Sequence, residues 1–516
     1  MLHLSLIFHM HQPYYKNLLT EESHLPWVRL HGTKDYLDML EVITNYPKIR
    51  ATFNIVPSLI EQIEDYANET VKDTFLELSY KKAIDLTSED KEFLLKNFFS
   101  INKDRVISLF PRYYELYFKK QKSLSFDAQD FLDLQTLFNL AWIDPLYRER
   151  HEPLKHAVKK ARYFTEEEKR AVLDTQTSIL KDILPAYKRA GESGQIEFSV
   201  TPYYHPILPL LVTTNAAKEA NLRSRLPKKE FKYPLDAKAH IESAVNFYKE
   251  RLGWSPLGMW PSEEAVSEKI LPYIIESGIN WIVTDESILF KSLNKKKRDS
   301  HLLYQPYTLK RKEGSLNIIF RDTSLSDLIG FVYHNWDGKT AATDFINHLD
   351  NINKAFKDKD LLVVVAMDGE NAWEYFANDG HYFLNELYSQ LSDSKTIKTT
   401  TVSEYLKNNT PKSNIKHLSS GSWIYGNFDK WMNNDLKTQS WDWLLDARKA
   451  VEEAEKTQDF NEKTKKLILK QLHIAEGSDW FWWAGEDPDG SFNRLYQMHL
   501  KNLYKLLQKN PPNYLL

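Results

Sequence analysis

Leu361–Met367 reads LLVVVAM, apolar at every position, and Asp368 closes it. A strand with one solvated face alternates apolar and polar residues. An unbroken apolar run is what a parallel strand buried on both faces shows. Six further segments read as strands: Leu4–Phe8, Ala51–Val56, Gln195–Val200, Leu257–Trp260, Asn280–Thr284 and Leu316–Phe320. Pro57 stops the second, and the breaker Gly278 precedes the fifth. Helical segments separate most of them. The pattern predicts an α/β fold, an incomplete (β/α)7 barrel rather than a sandwich.

A chain of 516 residues is too long for one small core, so at least one further unit is expected. From about residue 60 to about residue 190, Leu, Lys, Glu and Phe recur at helical spacing without strand-like alternation. Thr165-Glu166-Glu167-Glu168 has the form of a capping box opening a long helix, and Gly191 and Gly194 suit its end. Beyond about residue 386 the chain turns mainly helical, with Asp446–Lys456, Phe460–Ile474 and Leu495–Gln508 as helix candidates. The expected division is a barrel over residues 1–385, carrying a helical insertion at about 60–190, and a mainly helical C-terminal domain over 386–516 that contributes to the cleft.

A formal net charge of −3 argues against nucleic acid as the main partner, since phosphate binding needs a basic field. Lys295-Lys296-Lys297-Arg298 is short and reads as a solvated loop. There is no cysteine, hence no disulfide and no thiolate metal site, which fits a reducing compartment. The opening LHLSLIFHMHQP lacks a basic n-region and a small-residue cleavage site, so no signal peptide is expected. No apolar run approaches the ~20 residues that span a bilayer. A cytoplasmic location without membrane contact is the expectation. The outlier is aromatic content, with 14 Trp, 28 Tyr and 26 Phe. Trp residues cluster in charged, turn-like segments such as GSDWFWWAGED, and flat aromatic faces stack on sugar rings.

Barrels of this kind carry their chemistry at the C-terminal strand ends. The sequence puts a polar group at nearly every one: His9 and His11 with Gln12, Asn54, Glu197 with His205 beyond it, Trp260 with Glu263, Asp285, Arg321 with Asp322, and Asp368 near Trp373. Glu263 lies where a helix is expected to begin, and a helix N-terminus favours a nearby anion by roughly 0.3–1 kcal/mol at exposed sites. Partial desolvation and the Glu263 charge would raise Asp368 toward a general acid. Two strand-end carboxylates among aromatics form the minimal kit for breaking a glycosidic bond. A helix N-cap for Asp368 and a first-turn surface Glu for Glu263 are the structural alternatives, and Glu264 and Glu370 compete for the same roles. His9 and His11 are two apart on a strand and face one side. They suit either a metal or sugar hydroxyls, with Gln12 as a further donor and acceptor, and His9 also suits a core histidine. No Asp-Asp pair or HxxxH completes a metal site. Glu476, Asp479, Trp480, Trp482, Trp483, Glu486 and Asp487 make either a capped helix end or a subsite wall.

These stretches together resemble the family 57 glycoside hydrolases, a family of α-glucan-active enzymes. HMHQPYY, GQIEFSVTPYYHPILPLL, GMWPSEEAVSE, VVVAMDGENAWEYF and AEGSDWFWWAGED are similar, in order, to the family's five conserved regions. PWVRLHGTKDY, WIVTDESIL, FRDTSLSDLIGFVYHNW and GSWIYGNFDKW also look family-like. The resemblance implies an incomplete (β/α)7 barrel with a helical domain after it. It implies an α-1,4-glucan substrate (starch, glycogen or maltodextrin type) and a retaining mechanism. Glu263 would then be the nucleophile that forms the glycosyl-enzyme, and Asp368 the acid/base. His11, His205, Asp479 and Trp480 would help shape the subsites. No catalytic metal and no cofactor are implied.

WPSEEA looks more like the amylase and amylopullulanase members, whereas branching enzymes tend to carry Cys and Tyr soon after this Glu. After Lys430-Trp431-Met432 the family pattern leads to a Gly and an acidic pair, but this chain has Asn433-Asn434-Asp435. Hydrolysis and transfer share one intermediate, so a 4-α-glucanotransferase or branching enzyme is the alternative. A metal-dependent carbohydrate deacetylase or α-mannosidase, and a non-catalytic glucan-binding protein, are the more distant rivals.

Overall fold

The structure, a computed structural model, describes residues 1–357, 359–370 and 373–515, so Asn371 and Ala372 of the VVVAMDGENAWEYF stretch lie outside the described residues. The expected strands are all present: β1 (Leu2–Met10), β2 (Ala51–Ile55), β3 (Ile196–Val200), β4 (Gly258–Met259), β5 (Trp281–Asp285), β6 (Gly314–Arg321) and β7 (Leu361–Asp368). They lie side by side in the order β7-β1-β2-β3-β4-β5-β6, every pair parallel. The register sets His9 opposite Asp368 on one side and opposite Asn54 on the other, and Asn54 opposite Ser199. One polar layer therefore crosses these strands.

Among the described residues no ladder joins β6 to β7, which is what makes the barrel incomplete. Single hydrogen bonds close the seam instead. The Asp322 N–H donates to the Val364 carbonyl at 2.8 Å, the Leu362 N–H to Tyr304 at 3.0 Å, and Arg321 Nε to the Ala366 carbonyl at 2.8 Å.

The unbroken run of β7 is explained by its two faces. Leu362, Val364 and Ala366 join the barrel interior with Ile7, Val283 and Ile319. Leu361, Val363, Val365 and Met367 join the outer core under the helices. Strand alternation then fixes the next inward residues. Two positions beyond Ile7, Val283, Ile319 and Ala366 come His9, Asp285, Arg321 and Asp368. At the opposite end the barrel is plugged by Val402 and Tyr405 of the helix Val402–Asn408.

Helices fill most of the region between β2 and β3, as expected, but the short strand Lys72–Asp73 lies within it and pairs with Glu22–Ser23 in a second, small sheet. The longest helix, Glu166–Glu192, opens on a complete capping box of Thr165 and Glu168. Gly194 follows its end at φ +72°. Gly191 is the penultimate residue of the helix, and a Cβ there would come within 2.8 Å of Phe198 and 2.9 Å of Trp254. The strand Tyr307–Arg311, antiparallel to β6, escaped the sequence reading because charged residues crowd its turn. Past residue 386 the sheet continues, since Ile397–Thr399 pairs with β1 and Ser413–Asn414 with Tyr307–Arg311. Then come the helices Asp435–Thr457, Glu462–Ala475, Ser478–Trp483 and Ser491–Leu506. Asn434 caps the first of these by accepting from the Lys437 N–H, and its Nδ2 donates to the Ala484 carbonyl at 3.0 Å. The Asn433-Asn434-Asp435 departure thus supplies a helix cap. Among the described residues no helix is long and apolar enough to cross a membrane.

Candidate active site

Glu263 follows β4 in the tight turn Ser262–Glu264 and has left-handed backbone angles, φ 56° and ψ 29°. That conformation is unfavourable for a residue with a Cβ, and neighbours hold it in place. Ser422 Oγ donates to the Glu263 carbonyl at 2.7 Å, and Thr284 Oγ1 donates to the Glu264 carbonyl at 2.7 Å. A bridge between Val266 and Gly421 fastens the same two segments together. The side chain is aimed by Trp423, whose Nε1–H donates to Glu263 Oε2 at 2.8 Å. The expected helix N-terminus is absent, because the next α-helix begins only at Leu271. No helix dipole therefore keeps Glu263 ionised. Burial, then the charge of Asp368, pushes its carboxyl up to about 8.

Asp368 ends β7 beside His9. Burial pushes it up to about 6, against the opposing pull of the Arg321 and His11 charges. Glu263 and Asp368 are each half-buried as residues. Their competitors are buried deeper. Glu264 is fully buried and Glu370 is 3% exposed. Glu370 accepts from the His11 N–H at 3.1 Å and from Gln12 Nε2 at 3.5 Å. Burial drives both of these competitors well above the usual carboxylate range.

Three histidines stand beside the pair. The His11 and His205 rings stack at 3.8 Å, and His9 stacks on Trp260 at 4.8 Å. His9 Nδ1 lies 2.7 Å from Asn54 Oδ1, His9 Nε2 lies 3.1 Å from His205 Nε2, and His205 Nδ1 lies 2.9 Å from Ser478 Oγ. One assignment satisfies all three contacts: Ser478 donates to His205, His205 to His9, and His9 to Asn54. Burial pushes His9 down to about 3 and His205 well below its ordinary value, so both stay neutral. His11 Nε2 pairs with Asp479 Oδ1 at 2.9 Å. Candidate ligand atoms of His11, His205 and Asp479 lie within 4.8 Å of one another. Both His205 nitrogens are already hydrogen-bonded, whereas His11 Nδ1 is buried without a hydrogen-bond partner among the described residues.

Residues 5–417 match the family described as Glycosyl hydrolase family 57. The chain belongs to this family. Alpha-amylase 1 of Dictyoglomus thermophilum is 24% identical over 370 residues, 64% of this chain and 47% of that protein. A 4-alpha-glucanotransferase of Thermococcus litoralis is 23% identical over 237 residues, 45% of this chain and 30% of that protein. The chain thus spans half or less of these two curated relatives. A family 57 branching enzyme of Thermococcus kodakaraensis superposes with a TM-score of 0.65 at 15% identity, covering 98% of this chain and 90% of that one. At that identity the likeness is one of fold.

Several residues expected at the sugar surface of the family 57 chain are placed elsewhere. Trp260 is fully buried under His9 and Trp423. Trp373 is buried and its Nε1 donates to the Gly369 carbonyl at 3.0 Å. Trp480 is buried and its Nε1 donates to the Ile474 carbonyl at 2.7 Å. These rings anchor loops rather than present faces to solvent. Glu197 lies at the wrong end. It is the second residue of β3, bound at the plugged end of the barrel to the Ser403 N–H at 3.0 Å and to Trp281 Nε1 at 3.2 Å. Asp285 is buried, caps the helix Glu286–Ser292 and accepts from Thr323 Oγ1 at 2.6 Å. Gln12 is buried between Tyr15 and Glu370. Arg321 is buried with its guanidinium 5.1 Å from the Trp423 ring. His11 and Asp479, with 12% and 14% of their side chains exposed, remain open beside the carboxyl pair. Trp423 is the functional candidate that sequence reasoning passed over. Its stretch, GSWIYGNF, stood out as family-like, but nothing local marks which of its residues turns toward the barrel.

Proposed function

We propose that this family 57 protein hydrolyses α-1,4-linked glucan with retention, using Glu263 as nucleophile and Asp368 as acid/base. The barrel over residues 1–385 is proposed as the catalytic unit. Residues 386–516 would contribute the wall that carries Asp479, and the cysteine-free composition favours the cytoplasm. The observation that carries the reading is the carboxyl pair itself. Glu263 and Asp368 are half-buried where Glu264 and Glu370 are buried, and they are close enough for the Asp368 charge to raise Glu263. In the first step Glu263 attacks the anomeric carbon while Asp368 protonates the departing oxygen. In the second, Asp368 takes a proton from water, which attacks the glycosyl ester. Such a pair works at a carboxyl separation of about 5–5.5 Å.

Between about 6 and about 8 the pair holds a single proton, and the free protein favours it on Glu263. The chemistry needs it on Asp368. The gap is on the order of 3 kcal/mol at about 1.4 kcal/mol per pKa unit. One hydrogen bond to a charged group is worth about 1.5–3 kcal/mol. A bound sugar whose glycosidic oxygen accepts from Asp368 therefore suffices to move the proton, while Trp423 supports the Glu263 anion left behind.

The 4-alpha-glucanotransferase relative favours a second reading, in which a sugar hydroxyl replaces water in the second step. Chain-length analysis of products from maltoheptaose and pullulan, with a Glu263→Ala control, separates the two. Hydrolysis gives shorter sugars only, and transfer gives a ladder above the starting length. No change in either sugar contradicts both readings.

A further inference from the structure

Four aromatic rings stand exposed on two segments that follow residues of the candidate site in the sequence. Phe331 is 72% exposed, Trp336 42%, Tyr375 48% and Tyr382 61%. Single exposed apolar side chains are ordinary, whereas a contiguous group marks a binding surface. The first segment leaves the site at Arg321, whose Nη2 donates to Asp327 Oδ1 at 2.6 Å. The second carries Tyr375 and Tyr382, which follow Asp368 in the sequence. The two then meet. The His334 ring lies 6.0 Å from Tyr375, and a Cβ on Gly338 would come within 2.8 Å of Tyr382 Cβ. Buried Tyr333 packs against Trp336 at 5.3 Å and against Phe383 at 5.7 Å. Tyr333, Phe376 and Phe383 provide the core of this patch, so core packing does not account for the four outer rings.

We infer that this face binds the sugars of an α-glucan chain beyond those held at the carboxyl pair, and so sets a preference for long chains. The inference rests on the hydrolase reading above and extends the same cleft. Continuity argues for glucan over a second copy of the protein, because both segments follow site residues in the sequence. The chemistry agrees. Flat rings with polar tips, from Tyr and Trp, offer stacking faces with hydrogen-bonding edges, which suits sugars better than an aliphatic surface would.

The test compares Trp336→Ala and Tyr382→Ala with the wild type on amylose and on maltotriose, with depletion onto insoluble amylose as a readout that needs no turnover. Thermal melts establish that the variants are folded. The expected result is a rise of about tenfold in the ratio of amylose KM to maltotriose KM, weaker depletion, and recovery in Trp336→Tyr. An unchanged ratio and unchanged depletion in folded variants overturn the inference alone. A wild-type dimer that the variants dissolve also overturns it, by making the face a self-interface. A wild-type protein that neither binds nor cleaves either glucan overturns the hydrolase reading.

Discussion

Replacing Glu263 with Gln is expected to stabilise the fold at alkaline pH while abolishing turnover. The Glu263 carboxyl rises from its ordinary 4.5 to about 8 on folding. A carboxyl raised in this way binds its proton more tightly when folded than when unfolded. The wild type therefore loses stability as pH rises from 4.5, and the loss is complete above about 8. The gap sets a ceiling of roughly 5 kcal/mol at 1.36 kcal/mol per pKa unit. The opening of the cleft to solvent screens part of this, so about 2–3 kcal/mol is expected. In a chain this long, each kcal/mol moves the Tm by about 1–2 °C. Thermal melts of wild type and Glu263→Gln across pH should show curves that coincide near pH 4.5 and diverge by several degrees above pH 8. A constant offset at every pH would refute the reasoning, because it would mean that packing and not ionisation separates the two.

Three further outcomes follow from the same geometry. The profile of kcat/KM against pH should be bell-shaped, with limbs at about 6 and about 8, and a flat profile across that window would contradict the single shared proton. Trp423→Phe keeps the ring but removes the N–H that holds Glu263, and should lower kcat by about 10–100-fold, the equivalent of a charged hydrogen bond, while moving the alkaline limb upward. Glu197→Gln should lower the Tm through its lost contacts with Ser403, at about 1–3 kcal/mol, yet leave KM near the wild-type value, and a large KM effect would place Glu197 at the substrate after all.

The strands were legible because burial on two faces leaves a local mark. β7 is apolar throughout since Val364 and Ala366 line the barrel while Val363 and Val365 face the outer core. Asp368 was legible for the same reason, as the first polar residue in an inward register. Glu197 misled because its strand begins at Ile196, and one strand read from sequence alone does not reveal which of its ends faces the mouth. The tryptophans misled for a different reason. Composition marks Trp260, Trp373 and Trp480 as stacking rings, but each meets a tertiary partner that buries it. Trp423 shows the converse. It reaches Glu263 from 160 residues away, across a contact that no local pattern encodes. The proton balance of the pair was also beyond the sequence, because it depends on how deeply the turn after β4 sinks beside Asp368.

The most direct test of the central claim is to react an Asp368→Ala variant with maltosyl fluoride, whose fluoride leaves without acid assistance, and to map any covalent adduct by peptide mass spectrometry. A maltosyl group on the peptide that contains Glu263, absent from the Glu263→Gln protein, is the predicted result. An adduct on a different carboxylate, or turnover of the fluoride to product of inverted anomeric configuration, would contradict it.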